Sequence, residues 1–151
     1  MAEQTDTSQI LTGFYFSLEI VGLERDIAFQ EVSGFAKELH VEEVVCGGEN
    51  SFKYRLPTTT TYQNLVLKRG VTLKSSPLLK WCSDTLDNGL ALPIETHDIL
   101  VNLLDEQGKS CKSWTFVSAY PVKWSASELN SEKNAVFIET IELAYQVFKN
   151  S

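Results

Sequence analysis

Few residues of this chain could do chemistry by their type, and their spacing argues against it. His40 and His97 are the only histidines. Each lies in or beside an alternating segment, with no second ligand or nucleophile at a working spacing. Both read as satisfied surface or edge residues and not as a general base or a metal ligand. Glu42-Glu43 and Asp105-Glu106 are adjacent acids, and neighbours on a strand face opposite sides, so neither pair makes an acid/base dyad. Gly47-Gly48 lacks the lysine and following helix of a phosphate-binding loop. Cys46, Cys82 and Cys111 are odd in number and contain no Cys-x-x-Cys, which suits buried or half-buried thiols better than a disulfide framework or structural zinc. The threonine run Thr58 to Thr61 could hold a sugar, but an extended linker is the simpler account. No catalytic, cofactor or metal site is expected, and the chain does not read as an enzyme.

The residues that remain distinctive are charges and aromatics on strands, so the elements that carry them matter more than any cluster. The chain has 151 residues, 43% hydrophobic and 22% charged, with a net charge of -7. That length fits one domain with a real core. We expect a flexible segment over residues 1–12 and a single domain over 13–151. The acidic balance argues against neutralising the phosphates of a duplex and keeps a free subunit soluble. No apolar run approaches a membrane span, and Met1 to Gln9 lacks the pattern of a signal peptide, so synthesis and first use in a cytoplasm without membrane insertion are expected.

Alternation dominates the chain. In Gly13 to Val21, Phe14, Phe16, Leu18 and Ile20 share one face, the period-2 mark of a strand with one buried side. Ile27 to Val32 and Lys37 to Cys46 read as further strands, with Gly34 between them as a turn or bulge. Gly47-Gly48-Glu49-Asn50 is the strongest loop signal of the first half. Phe52 to Leu56 and Asn64 to Arg69 read as strands joined by Pro57 and the threonines in an extended arm. Ser76 is a good N-cap, Pro77 suits the first helical position, and Asn88-Gly89 ends the helix. Leu78, Cys82 and Leu86 then form one apolar stripe.

Asp98 to Leu104 and Lys112 to Tyr120 read as a hairpin about Asp105-Glu106-Gln107-Gly108. Pro121 fits a strand edge or a break, and Ser125 to Asn134 is a polar connection. Ala135 to Phe148 reads as one long strand whose apolar parity switches through a bulge near Glu139-Thr140. The sum is a mainly β fold of roughly eight strands and one helix, a small antiparallel β-barrel or two-sheet sandwich with the helix packed on it.

Between Phe52 and Trp81 the acidic chain turns basic, and the basic residues lie on extended segments. Long extended segments offer unpaired backbone to a second copy, and cyclic symmetry repeats one such contact until a ring closes. Acidic positions (Glu38, Glu42, Glu43, Glu49) and basic ones (Lys53, Arg55, Lys68, Arg69) are segregated along the sequence. Opposed between copies they would fix register and orientation. A pair between Glu42 or Glu43 and Lys53 or Arg55 is equally readable as a cross-strand pair within one subunit.

The order Val32-Ser33-Gly34, an acidic extended strand, Gly47-Gly48, a basic strand ending Leu56-Pro57, Leu65-Val66-Leu67-Lys68-Arg69-Gly70 and Pro77-Leu78-x-x-Trp81 resembles the tail-tube family of contractile phages and related injection systems. The closing Ile141-Glu142-Leu143-Ala144-Tyr145 is similar too, and the match runs from about Phe14 to Phe148. The resemblance implies a barrel-like subunit that closes into a homo-hexameric ring. Rings would stack into a hollow tube inside a contractile sheath, with cargo passing through the lumen and with spike hub or other baseplate proteins as partners. It implies no cofactor. It places contacts between subunits at Cys46 to Thr61, and with the charges above the expected interface is Glu42, Glu43, Gly47, Gly48, Glu49, Lys53, Arg55, Pro57, Thr58, Thr59, Thr60, Lys68 and Arg69.

One departure stands out. Thr58 and its run occupy a place where major tube proteins often have glycine after Leu-Pro, which is in keeping with an initiator ring between hub and repeating tube. The alternatives are the major repeating tube protein and, from another class, a monomeric ligand-binding barrel lined by Trp81, Trp114, Trp124, Phe116 and Tyr120. Such a particle would be built in a bacterial cytoplasm and could be released from the cell.

Overall fold

The computed structural model describes residues 14–23, 25–45, 47–48, 53–70, 76–127 and 138–150. The expected flexible segment 1–12, Cys46, Glu49 and most of the polar connection before residue 138 lie outside them. The elements are β1 (Tyr15–Ile20), β2 (Arg25–Phe29), β3 (Glu31–Ser33), β4 (Lys37–Val44), β5 (Tyr54–Tyr62), β6 (Leu65–Gly70), α1 (Pro77–Asn88), β7 (His97–Leu104), β8 (Ser110–Ala126), β9 (Ile138–Ala144) and β10 (Val147–Asn150). Among the described residues no helix is long and apolar enough to cross a membrane.

Every strand pair is antiparallel. The main sheet runs β2-β1-β7-β8-β9-β6-β3, with β10 beside β8. Only Gln30 separates β2 from β3, and its N–H donates to the Lys68 carbonyl at 2.9 Å. The segment that pairs with β1 at one end therefore pairs with β6 at the other, and the ladder returns on itself as a barrel. Closure of this kind removes sheet edges. Inside lie Leu18, Ile20, Phe29, Leu65, Leu67, Ile99, Val101, Phe116, Ile141 and Leu143, and the strict alternation of β6 and β9 shows how each strand gives one face to that core.

The helix starts where its cap predicts. Ser76 Oγ accepts from the Leu79 N–H at 3.2 Å, and Pro77 follows it. Leu78, Trp81 and Cys82 enter the barrel core. Leu86, one turn further along the same stripe, does not join them and is exposed. Of the other thiols, Cys111 is exposed and not half-buried.

Three strand readings change in the structure. The threonine run belongs to β5 itself and does not connect two strands. β8 continues through Pro121, which is tolerated because past Ala119 the strand keeps only β9 as a partner, with a bulge between Pro121 and Lys123. The final strand carries no bulge near Glu139: β6 and β9 stay in register from Leu65–Leu143 to Gly70–Ile138. It breaks instead at Tyr145-Gln146, opposite Ser118, whose φ is 53°. Asp98 accepts the Ser118 N–H there at 2.9 Å and satisfies the backbone at this corner.

Candidate assembly surface: an exposed two-stranded arm

β4 and β5 pair only with each other. All eight residues of β4 and all of β5 but Tyr62 are exposed. They form a ribbon that leaves the barrel at Gly34 and re-enters it at Tyr62. Gly34 has φ +96°, and a Cβ there would collide with the backbone of Asn64, so the exit needs glycine. The root is aromatic: Phe35 lies 4.7 Å from Trp114 and 5.7 Å from Phe116, and Tyr62 lies 5.8 Å from Phe148. Edge and tilted ring contacts of this kind add specificity to the apolar burial. Tyr145 closes the cluster with its ring 4.8 Å from Phe116. Its buried hydroxyl has no hydrogen-bond partner among the described residues, and burial, then the neighbouring Tyr62, pushes its pKa up to about 12.

Register decides what each face of the ribbon shows. Leu39 lies opposite Thr60, Val41 opposite Pro57, and Glu43 opposite Arg55. The other face carries Glu38 with Thr61, Glu42 with Leu56, and Val44 with Tyr54. From Leu39 to Val41 the first strand advances two residues while the second goes from Thr60 to Pro57, so the threonine run holds a bulge. Thr58 Oγ1 donates to the His40 carbonyl at 3.1 Å, and His40 Nε2 lies 2.9 Å from Thr61 Oγ1. Those bonds give the threonines and His40 a structural task.

The expected interface residues separate. Glu42, Glu43, Lys53, Arg55, Pro57, Thr58, Thr59 and Thr60 all lie on the arm or, for Lys53, at its tip, and Gly47 and Gly48 lie in the turn region there. Glu43 meets Lys53 at 3.6 Å within the subunit, the cross-strand alternative of the charge reading. Lys68 is on β6, 3.9 Å from Glu31 on the neighbouring strand. Arg69 sits apart from all of them. Its side chain is 3% exposed, and its Nε donates to Glu139 Oε1 at 2.6 Å. A second guanidinium nitrogen donates to Ser76 Oγ at 3.2 Å, and the group lies 4.8 Å over the Phe29 ring. Trp124 Nε1 donates to Glu139 Oε2 at 3.3 Å. This network ties the helix cap to the barrel wall, so Arg69 is spent inside the subunit.

Two surface features were not anticipated. The arm exposes Leu39 (56%), Val41, Val44, Tyr54 and Leu56. Behind α1, the run Leu90-Ala91-Leu92-Pro93-Ile94 leaves Leu90 93% exposed. Its Leu92, Pro93 and Ile94 wall a groove of about 520 Å3 with Leu23, Trp81 and His97. The aperiodic apolar run after Gly89 was the available signal. His97 Nε2 pairs with Glu95 at 3.1 Å, and the Glu95 carbonyl accepts from Trp81 Nε1 at 2.9 Å. The three tryptophans do not share a cavity: Trp81 faces the core from α1, Trp114 joins the arm root, and Trp124 is half-exposed beside Glu139. Among the described residues no group of His, Cys, Asp and Glu could hold a metal ion.

The fold has known counterparts. A chain of the cryo-EM structure of the anti-feeding prophage (AFP) baseplate, 6-fold symmetrised, is 30% identical, with 96% of each chain covered and a TM-score of 0.74. A chain of an extracellular contractile injection system, the PVC sheath–tube complex in the extended state, is 20% identical over 96% of this chain and 95% of that one, with a TM-score of 0.76. Hcp1 from Flavobacterium johnsoniae is 19% identical over 91% and 94%, with a TM-score of 0.58. No curated protein matches the chain. The sequence model of the T4-like virus tail tube protein gp19 family matches residues 12–149, and the chain belongs to that family.

Proposed function

We propose that six copies of this chain close into a ring of the inner tube of a contractile injection particle, at the baseplate-proximal position where the tube begins. The observation that carries this reading is the arm. A free subunit holds a ribbon of at least eight residues per strand entirely in water, with aliphatic side chains on both faces. A pair of strands without a covered face is marginal in isolation, and exposed apolar patches on this scale mark interaction surfaces. A neighbouring copy supplies the cover. The arm residues from Glu42 to Thr60 then form the contact, with Lys68 on the barrel wall beside it, and Arg69 holding the wall from within.

The baseplate position is supported by the comparison at 30% identity, which is to a baseplate assembly, against 20% for the sheath–tube complex. In this reading the spike hub lies below the ring, repeating tube rings above it and the sheath outside, while cargo passes through the lumen. The subunit carries out no reaction. It is made in a bacterial cytoplasm and leaves the cell only as part of a particle. Native mass spectrometry of the purified protein at high concentration, with and without hub protein, should show hexamers or stacked rings. A strict monomer that also fails to enter assembled particles overturns the proposal. Gold labelling of intact particles fixes the position: label at the baseplate end alone is expected, and label along the whole tube assigns the chain to the repeating tube instead.

A further inference from the structure

Two apolar surfaces of this chain lie uncovered, and they differ in kind. One is the arm face that carries Leu39, Val41 and Pro57. The other is the groove between α1 and residues 89–96, with Trp81 at its back and Leu23, Leu92 and Ile94 along its walls. We propose that the arm of one copy lies in the groove of the next. The inference rests on the ring reading, because a ring closes by one head-to-tail contact that joins two different surfaces of the same chain.

Within one subunit the two surfaces do not cover each other. The arm's side chains are exposed along its length, and its root is held by Trp114 and Phe116 of β8 and Phe148 of β10, none of which lines the groove. Eight residues of strand span about 26 Å, against a radius of gyration of about 15 Å for a chain this long. An arm of that reach extends well into an adjacent copy. Charge also matches. The groove holds Asp84 and Glu95 against Lys80, with Glu95 already meeting His97 at 3.1 Å, so Asp84 is the acid that matters for a neighbour. The arm face sets Arg55 next to Pro57 and Val41, while its one acid, Glu43, already meets Lys53. A groove of this volume seats several apolar side chains, and Leu39 and Val41 with Pro57 are such a set.

Cross-linking in assembled material tests the inference. In a background of Cys46→Ser and Cys111→Ser, the exposed positions Val41 and Ile94 are changed to cysteine and treated with a short bismaleimide. The double variant V41C/I94C should give a ladder of covalent multimers, whereas each single variant should give none. Arg55→Glu should reduce the ladder at least several-fold, and Arg55→Glu with Asp84→Lys should restore it. Rings visible by electron microscopy without a ladder overturn this inference and leave the ring reading standing. Cross-links from Ile94→Cys to the sheath or hub protein alone overturn it in the same way. If no ring or higher assembly forms even with Arg55 and Asp84 intact, the ring reading falls, and this inference with it.

Discussion

Replacing Arg69 with methionine, while Glu139 stays, takes its cation from a carboxylate that is itself 3% exposed. The pair is held at 2.6 Å. Among the described residues Glu139 keeps the Trp124 Nε1 donor at 3.3 Å. Ser76 Oγ loses its donor at 3.2 Å, although it still accepts from Leu79. Breaking a buried pair by removing one partner costs about 3–5 kcal/mol. Methionine refills part of the volume over Phe29, so the lower end, about 3 kcal/mol, is expected. With a urea slope of about 2 kcal/mol/M, the unfolding midpoint falls by about 1.5 M.

The double variant Arg69→Met/Glu139→Leu removes both charges together and should lie within about 1 kcal/mol of the parent, since an apolar pair of similar volume often replaces a buried ion pair without loss. The cycle therefore closes with a coupling of about 3 kcal/mol or more. The assay is urea titration at one fixed protein concentration, because assembly makes stability depend on concentration. It is followed by far-ultraviolet circular dichroism and by tryptophan fluorescence, and coincident transitions license the comparison. A single-variant loss below about 1 kcal/mol, or a double variant as unstable as the two singles added, would refute the buried-pair account.

Other perturbations separate folding from assembly. Arg55→Glu alters an exposed position and Lys68→Glu a half-buried one, and both should leave the unfolding free energy within about 0.5 kcal/mol of the parent while lowering ring yield; unchanged particle yield for both would remove these charges from the interface. Gly34→Ala should destabilise well beyond the ~1–2 kcal/mol of a left-handed backbone alone, because its Cβ also meets Asn64. Gly48→Ala, at φ +91° with open space around it, should cost only that backbone strain, and equal losses at both sites would rule out the close approach. Tyr145→Phe removes a buried hydroxyl without a partner among the described residues and should be neutral or stabilising by about 1 kcal/mol. The Tyr145 hydroxyl ionises near pH 10.0 when unfolded and at about 12 when folded, so its preference for the neutral form supports the fold below pH 10 and is lost as pH rises to 12. Absorbance titration should show one late tyrosine, absent in Tyr145→Phe, and a parent without it would contradict the burial.

Where one face of a strand meets this subunit's own core, the alternation could be read directly, as in Leu18 and Ile20 of β1. The helix was legible because Ser76 and Pro77 act locally. The arm was legible as an extended, basic segment but not as a ribbon. Leu39 and Val41 alternate like core residues, yet both are exposed: a period of two reports that a face can be covered, and says nothing about which chain covers it. The threonine run was misread as a link because β-branched residues favour extended backbone in strands and connections alike. The bulge expected near Glu139-Thr140 failed for another reason: Glu139 shares the inward face of Ile141 and Leu143, and Arg69, on a strand far away in sequence, makes an inward glutamate tenable.

Arg55 and Arg69 show why residue type alone could not sort the candidate site. Both are arginines on β-strands of the same basic stretch, and both seemed equally fit to meet a neighbour. Arg69 lies directly across from Glu139 on β9 and is enclosed by Phe29 and the cap of α1. Its charge is neutralised before any second copy arrives. Arg55 lies across from Glu43 on a ribbon with no third layer, and Glu43 already meets Lys53. Its charge stays at the surface of a subunit whose net charge is -7. Like net charges keep free copies apart, so contact between them has to be local: a basic patch on an arm, set against Asp84 in the groove. The same arginine that would be costly to bury alone becomes, at that place, the group that fixes the direction in which one copy meets the next.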